Sequence, residues 1–320
     1  MTPEFDPRST SGLNASLATQ VARLYFDRGM TKVEIAAHLG ISRFRVARLL
    51  DSALARGLVR IEYRDAPAED RTLATALEGM FGLDLCAVAA DENGVTRLAG
   101  SVIDGLIGPN DVVGVAWGTT LAAVVREIPA RPASVIEVVQ LAGSSVRFDR
   151  GRDAGELARV LADRLGASHR AIYAPAFVER PSLRAALLSE PEVAETIARF
   201  KAVTLAIVGV GAMPVADLDA ASSLLRSGIL DDADIARLAA ARAIGDLVVH
   251  PFDAGGRFVA PELAARAIAI GVDELRAVRR VVAVAAGTRK ADAIRGALLT
   301  GVVRMLITDG PTARAVLAGA

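Results

Sequence analysis

The sequence predicts an α/β protein in two parts: a small helical N-terminal module with a wing, joined to a larger, doubly wound domain on a mostly parallel sheet. Three observations support this. A chain of 320 residues has room for about two domains. Apolar runs alternate with amphipathic helical stretches from about residue 73 onward, and strands so uniformly apolar are buried on both faces, as in parallel sheets covered by helices. Charge is also unevenly spread. Residues 1–64 hold ten Lys and Arg against six Asp and Glu, whereas residues 65–320 hold 27 against 31. A basic small end on a mildly acidic body suits a nucleic-acid module attached to a regulatory or catalytic domain.

Composition narrows the classes further. Apolar residues make up 52% and aromatic ones 4%, so the core must be built from Ala, Val, Leu and Ile. That much apolar surface excludes a disordered chain. Cys86 is the only cysteine, so no internal disulfide forms, and three scattered histidines give no zinc cluster. The start, MTPEFDPRSTSGLN, lacks the apolar run of a signal peptide. No stretch approaches the length of a membrane span. The expectation is a cytoplasmic protein without membrane contact, metal or cofactor. Residues 1–14 are expected to be a disordered tail, 15–64 the first module, 65–72 a linker and 73–320 the main body.

In the first module, Leu17, Val21, Leu24 and Tyr25 share one helical face, ended by Gly29. Thr31 with Glu34 three residues on is a capping box for a second helix, Lys32 to Leu39. Gly40 supplies a left-handed turn. Ser42 caps a third helix running to about Arg56. Ala36 permits close helix approach, and Val46 points back toward Ile35, Leu39, Ile41, Leu49 and Leu50. Small residue, turn glycine and inward valine at this spacing look like a DNA-binding helix-turn-helix. Its third helix would enter the major groove by its N-terminal end. The candidate DNA contacts are Thr31, Ser42, Arg43, Phe44, Arg45 and Arg48, with Arg60 from a short wing strand over Leu58 to Arg64. The arginines can fork onto guanine or neutralise phosphate, and Phe44 can meet a thymine methyl or a neighbouring helix. Arg43, Arg45, Arg48 and Arg56 face one acid, Asp51, which argues against an ordinary solvated face.

In the body, expected strands are Leu85–Ala89, Val112–Val115, Val135–Gln140, Val203–Val208, Leu247–His250, Val281–Ala285 and Val303–Ile307. Expected helices are Leu73 to Phe81, Gly94–Ile107, Thr119–Ile128, Ala154–Leu165, Pro191–Arg199, Asp231–Ala241, Arg289–Leu299 and Thr312–Ala318. Ligands in such folds bind beyond the carboxyl ends of strands, where the informative residues fall. Gly118, Thr119 and Thr120 follow one strand and open a helix, either as an anion site made of free N–H groups and hydroxyls or as an ordinary cap by Thr119. Gly143 ends a second strand beside two serines. Gly209 belongs to GVGAMP, half of a dinucleotide fingerprint in which Met213 and Pro214 replace the third glycine. Gly287 leads a helix start that carries Lys290, one of only three lysines. A lysine there opposes the helix dipole, so a phosphate partner explains it better than solvent.

Together these segments resemble the SorC/DeoR-type sugar-binding transcriptional regulators, from about Ala15 to Leu317. The most specific stretches are the helix-turn-helix, VGVAWGTTL, QLAGS, AIVGVGAM, GDLVVHPFDAGG and GTRKADAIRGALLTGVVRMLITD. The resemblance implies an effector domain similar to sugar-phosphate isomerases and deaminases, a phosphorylated sugar or polyol as effector, and assembly as a homodimer or homotetramer on double-stranded operator DNA. It assigns Gly118, Thr119 and Thr120 to a phosphate-binding turn. It also sets Asp246 near the sugar hydroxyls, and Gly287 with Lys290 on a second phosphate-side element. Some family members carry a lysine where this chain reads Gln140-Leu141-Ala142-Gly143, so imine capture of an aldehyde is not expected there. His250 stands where an aromatic is common, which implies a more polar pocket.

The leading expectation is a regulator of a carbohydrate or polyol operon. Two alternatives remain. One is a sugar-phosphate isomerase or deaminase-like enzyme, for which His250, Asp246 and Asp253 are the available acid–base groups. The other is a dinucleotide-sensing repressor. The helix and wing positions also separate two kinds of DNA contact. Arg45→Ala should relax base preference, at about 1–3 kcal/mol for a forked contact, while Arg60→Ala should weaken all sequences alike. Gel shifts across salt and sequence check this; an Arg45→Ala protein with unchanged affinity and preference would contradict the docking geometry.

Overall fold

The computed structural model describes residues 16–59, 69–147, 153–213 and 222–319. The chain divides into two compact units between Asp65 and Ala66.

In the N-terminal unit, residues 16–22 are helical and continue into a π-helical turn, Arg23–Asp27. Helix Lys32–Leu39 starts at the expected capping box: the Thr31 hydroxyl accepts from Glu34 N–H and donates to the Glu34 carboxylate, which also accepts from Thr31 N–H at 2.8 Å. Gly40 closes it at φ 63°, and Ser42 Oγ accepts from Arg45 N–H to open helix Arg43–Ala55. Ala18, Val21, Leu24, Ile35, Val46, Leu49, Leu50 and Ala53 form its core. Leu58 and Val59 lie in a bend, and the rest of the expected wing, with Arg60, lies outside the described residues, as does the 1–14 tail.

The second unit is built on a sheet of nine strands: β1 (Leu85–Ala89), β2 (Val112–Val115), β3 (Glu137–Gln140), β4 (Ser168–Arg170), β5 (Leu205–Ala212), β6 (Gly245–Leu247), β7 (His250–Phe252), β8 (Arg280–Val284) and β9 (Met305–Asp309). Seven run parallel in the order β1-β9-β8-β5-β2-β3-β4. Their buried Val, Ile, Leu and Ala side chains merge with those of the covering helices into one core, as expected of a sheet covered on both faces. Cys86 lies in this core, and burial pushes its thiol up to about 12.

Connections from β2 run to β3 on one side, while those from β5 run to β8 and β9 on the other. The chain therefore reverses direction between neighbours β2 and β5, a switch point where side chains leave a crevice.

Three local readings change. The run expected as one strand over Leu247–His250 is an antiparallel hairpin: β6 pairs with the end of β5 and with β7, and Val248 turns the chain at φ 61°. A β-branched residue rarely adopts that conformation, so its apolar character hid the turn. Helix Arg71–Phe81 begins earlier than Leu73 because Asp70 accepts from Leu73 N–H, and Asp70 N–H is bound to Val88 O. Strand β4 and helix Pro181–Ser189 had no sequence signal; β4 is short and exposed, and the helix buries none of its residues fully.

A Cβ at Gly40 would meet no atom within 4 Å, so Gly40→Ala tests backbone conformation alone. It should destabilise the N-terminal unit by about 1–2 kcal/mol, read as lost amide-exchange protection over residues 32–55 with residues 85–309 unaffected.

Candidate functional site

A cavity of about 580 Å³ opens at the carboxyl ends of β2, β5 and β8, at the switch point. Its walls include Gly118, Thr119, Thr120, Gly209, Asp246, Gly287 and Lys290, so seven of the eight residues expected to hold an effector are brought together.

Helix Thr119–Glu127 opens this cavity with Gly118 at φ 134°, and no side chain caps it. Thr119 is therefore not an ordinary cap. The first-turn N–H groups lack intrahelical partners, and with the Thr119 and Thr120 hydroxyls they can receive an anion. Six other helices of this unit are capped by Asp70, Asp91, Asp153, Ser222, Asp231 and Asp309, while those beginning at Pro181, Pro191, Pro261 and Val272 also have no side-chain cap. The second glycine-led start at this cavity is different. Gly287, at φ 99°, donates its N–H to Asp309 Oδ2 at 3.0 Å and begins a short 3₁₀ turn, Thr288–Lys290, that runs into helix Ala291–Leu299. Asp309 thus anchors this turn while capping helix Gly310–Ala318 through Thr312.

Asp246, on β6 and 4% exposed, lines the same cavity. Ser222 is hydrogen-bonded to its carboxyl, but Oδ1 has no partner among the described residues. Burial pushes its pKa up to about 7, against the opposing effects of Ser222 and Lys290. Burial likewise lowers the Lys290 ammonium below the lysine range, with Arg226 adding to the shift and Asp246 and Glu92 opposing it. An orphaned buried oxygen at a cavity wall is an acceptor awaiting a donor, and a sugar or polyol hydroxyl is such a donor.

Gly211 explains a motif that the sequence left ambiguous. A Cβ there would sit 2.0 Å from Asp246 Oδ1 and 2.5 Å from Ser222 Cβ. Gly209 and Gly211 lie inside β5 rather than in a strand-to-helix turn, so they do not form a dinucleotide fingerprint; Gly211 makes room for a carboxylate, whereas a Cβ at Gly209 would meet nothing within 4 Å. Gly143 lies outside the cavity wall. Its N–H is bound to Ile268 O, and a Cβ would meet Pro175 O at 2.6 Å, so that glycine serves close packing. Gln140 is fully buried, donates to Ala142 O and accepts from Ile172 N–H. His250 is also buried away from the cavity, with Nε2 at 2.7 Å from Ile270 O, and Asp253 binds Arg257 and its own loop. Of the three acid–base candidates, only Asp246 lines the cavity. Glu92, Arg226 and Arg289 also line it and had escaped sequence reasoning. Each is a charged residue in a polar stretch, indistinguishable there from a solvated surface.

The candidate DNA contacts all belong to the other unit. Thr31 is engaged in its capping box, and Ser42, Arg43, Phe44, Arg45 and Arg48 are exposed.

The family described as "Putative sugar-binding domain" matches residues 65–318. The erythritol catabolism regulatory protein EryD of Brucella abortus is 30% identical over 94% of this chain and 96% of its own length. The sorbitol operon regulator of Klebsiella pneumoniae is 26% identical over 94% of this chain and 97% of its own. The crystal structure of that full-length regulator superposes with a TM-score of 0.73, covering 95% of this chain and 99% of the other.

Asp246 also carries a pH signature. Its folded pKa, near 7, lies above the ordinary aspartate value of 3.8. The associated stability is present at low pH and is lost as pH rises through about 7. The unfolding midpoint of Asp246→Asn minus that of the wild type should therefore increase from pH 5 to pH 8 without ligand. An equal difference at both values would mean that Asp246 titrates as an ordinary aspartate.

Proposed function

The chain belongs to the SorC/DeoR-type family of sugar-binding transcriptional regulators, and from that premise we propose that it regulates a carbohydrate or polyol catabolic operon by binding double-stranded operator DNA under control of a phosphorylated sugar or polyol. The observation that carries this reading is the cavity at the switch point. It pairs an uncapped helix start at Gly118–Thr120 with an orphaned, buried Asp246 oxygen. One end suits a phosphate and the other a hydroxyl. Lys290, and the Arg226 and Arg289 side chains at the wall, add positive charge for the phosphate. The N-terminal unit, residues 15–64 with the candidate contacts named above, is the DNA-binding part of this proposal. Residues 73–320 bind effector and assemble the homodimer or homotetramer, because one helix-turn-helix buries too little surface for tight specificity. The protein works in the cytoplasm and is a regulator rather than an enzyme. The regulatory roles of its relatives support this.

Effector binding shifts operator affinity only by its differential affinity for the two protein states. A thermal-shift screen of phosphorylated sugars identifies the ligand, since binding to the native state raises apparent stability. Thr119→Ala with Thr120→Ala should then abolish the effector response, at about 1.5–3 kcal/mol per charged hydrogen bond, while leaving operator binding intact. Lys290→Met should weaken the phosphorylated ligand more than its unphosphorylated counterpart. Calorimetry showing equal affinity of Lys290→Met and wild type for the phosphorylated ligand would refute the phosphate assignment.

A further inference from the structure

Phe44 is 67% exposed on helix Arg43–Ala55, where solvent alone would favour a polar side chain. The core residues of this helix are Val46, Leu49, Leu50 and Ala53. At about 100° per residue, Phe44 stands opposite the middle of that stripe, in line with Arg48 and Ala55. It cannot fold back onto the unit's own core. The Arg43 guanidinium carbon lies 4.9 Å from the Phe44 ring centroid, a cation–π contact. Arg45 and Arg48 are exposed to one side of it, and Asp51, farther along the same face, is the one acid on the helix.

An apolar ring set among Arg43, Arg45 and Arg48 is a poor fit to an apolar protein surface, because docking would strip water from the charges. The same face complements a polyanion that offers an apolar group at its centre. In the major groove that group is the C5-methyl of a pyrimidine. The cation–π contact also keeps the Arg43 guanidinium beside the ring, where its planar fork can reach O6 and N7 of a guanine one base-pair step away.

Resting on the DNA-binding reading above, we propose that Arg43 and Phe44 act as a dyad that reads a guanine adjoining a 5-methylpyrimidine. Operator recognition then depends on the methyl group itself, and 5-methylcytosine satisfies the Phe44 contact as thymine does. Cytosine methylation at that step would raise affinity.

The test uses the full-length chain. A site is first enriched from a randomised duplex library by the wild type. Affinity is then measured on four versions of that site, carrying thymine, deoxyuridine, cytosine or 5-methylcytosine beside the guanine. The wild type should favour thymine over deoxyuridine, and 5-methylcytosine over cytosine, by about four-fold each, the worth of one buried methyl-sized group. Phe44→Ala should bring both ratios to one, and Phe44→Leu, which keeps an apolar contact, should retain part of them. Wild-type ratios of one, an enriched site without a pyrimidine–guanine step, or Phe44→Ala weakening all four duplexes equally would overturn the dyad and leave DNA binding standing. The last outcome would place the ring against protein or the phosphate backbone. Failure to enrich any sequence would overturn the DNA-binding reading itself, and the dyad with it.

Discussion

A buried carboxylate at a cavity wall, with one oxygen unpartnered among the described residues, is the constraint around which the cavity of the second unit is arranged. Leaving a buried polar group unsatisfied costs about 1–3 kcal/mol, and the fold accepts that cost at Asp246. It does so by adding the β6–β7 hairpin antiparallel to the end of an otherwise parallel strand, and by keeping a hydrogen atom rather than a side chain at Gly211. Ser222 engages the other part of the carboxyl, and Lys290 supplies the facing charge. Ser222 also caps helix Ser223–Arg226, but the set as a whole is not a packing choice. Each makes sense if an incoming hydroxyl completes the set.

The parallel sheet explains why the remaining parts converge there. With β2 and β5 adjacent and their onward connections diverging, the helix starts after β2 and β8 face one crevice from two sides. They are not equivalent. The Gly118 turn keeps its amides free, whereas the Gly287 turn has already committed one to Asp309. The cavity thus has one end with an uncapped helix start and one end with an anchored turn, so its two sides are not equivalent to a ligand.

How much of this was legible depended on whether the signal was local. The capping box at Thr31, the turn at Gly40 and the strand–glycine–threonine passage at Gly118 are each decided by neighbours in sequence, and all three could be read directly. The alternating apolar runs disclosed most parallel strands, because burial on both faces leaves no polar interruption. What failed was decided at a distance. Gly211 looked like part of a nucleotide loop because nothing near it in the chain shows that the Asp246 carboxylate would occupy its Cβ position. Val248 concealed a hairpin because a buried valine at positive φ has no sequence signature. Gly143 drew attention beside two serines, yet its need is to let the Ala174–Pro175 backbone pass closely. Glu92, Arg226 and Arg289 were invisible because a charge gains meaning only from what the fold sets opposite it.

Burial of the lone thiol has a practical corollary. Cys86 sits at zero exposure in β1, with its thiol pushed to about 12 and its backbone N–H held by Glu78. Almost none of it is thiolate at neutral pH, so oxidants and alkylating reagents have little to react with while the sheet is closed. The chain therefore carries an intrinsic opening clock. The rate at which a thiol reagent captures Cys86 reports how often the β1 edge of the core parts, with no label to perturb it.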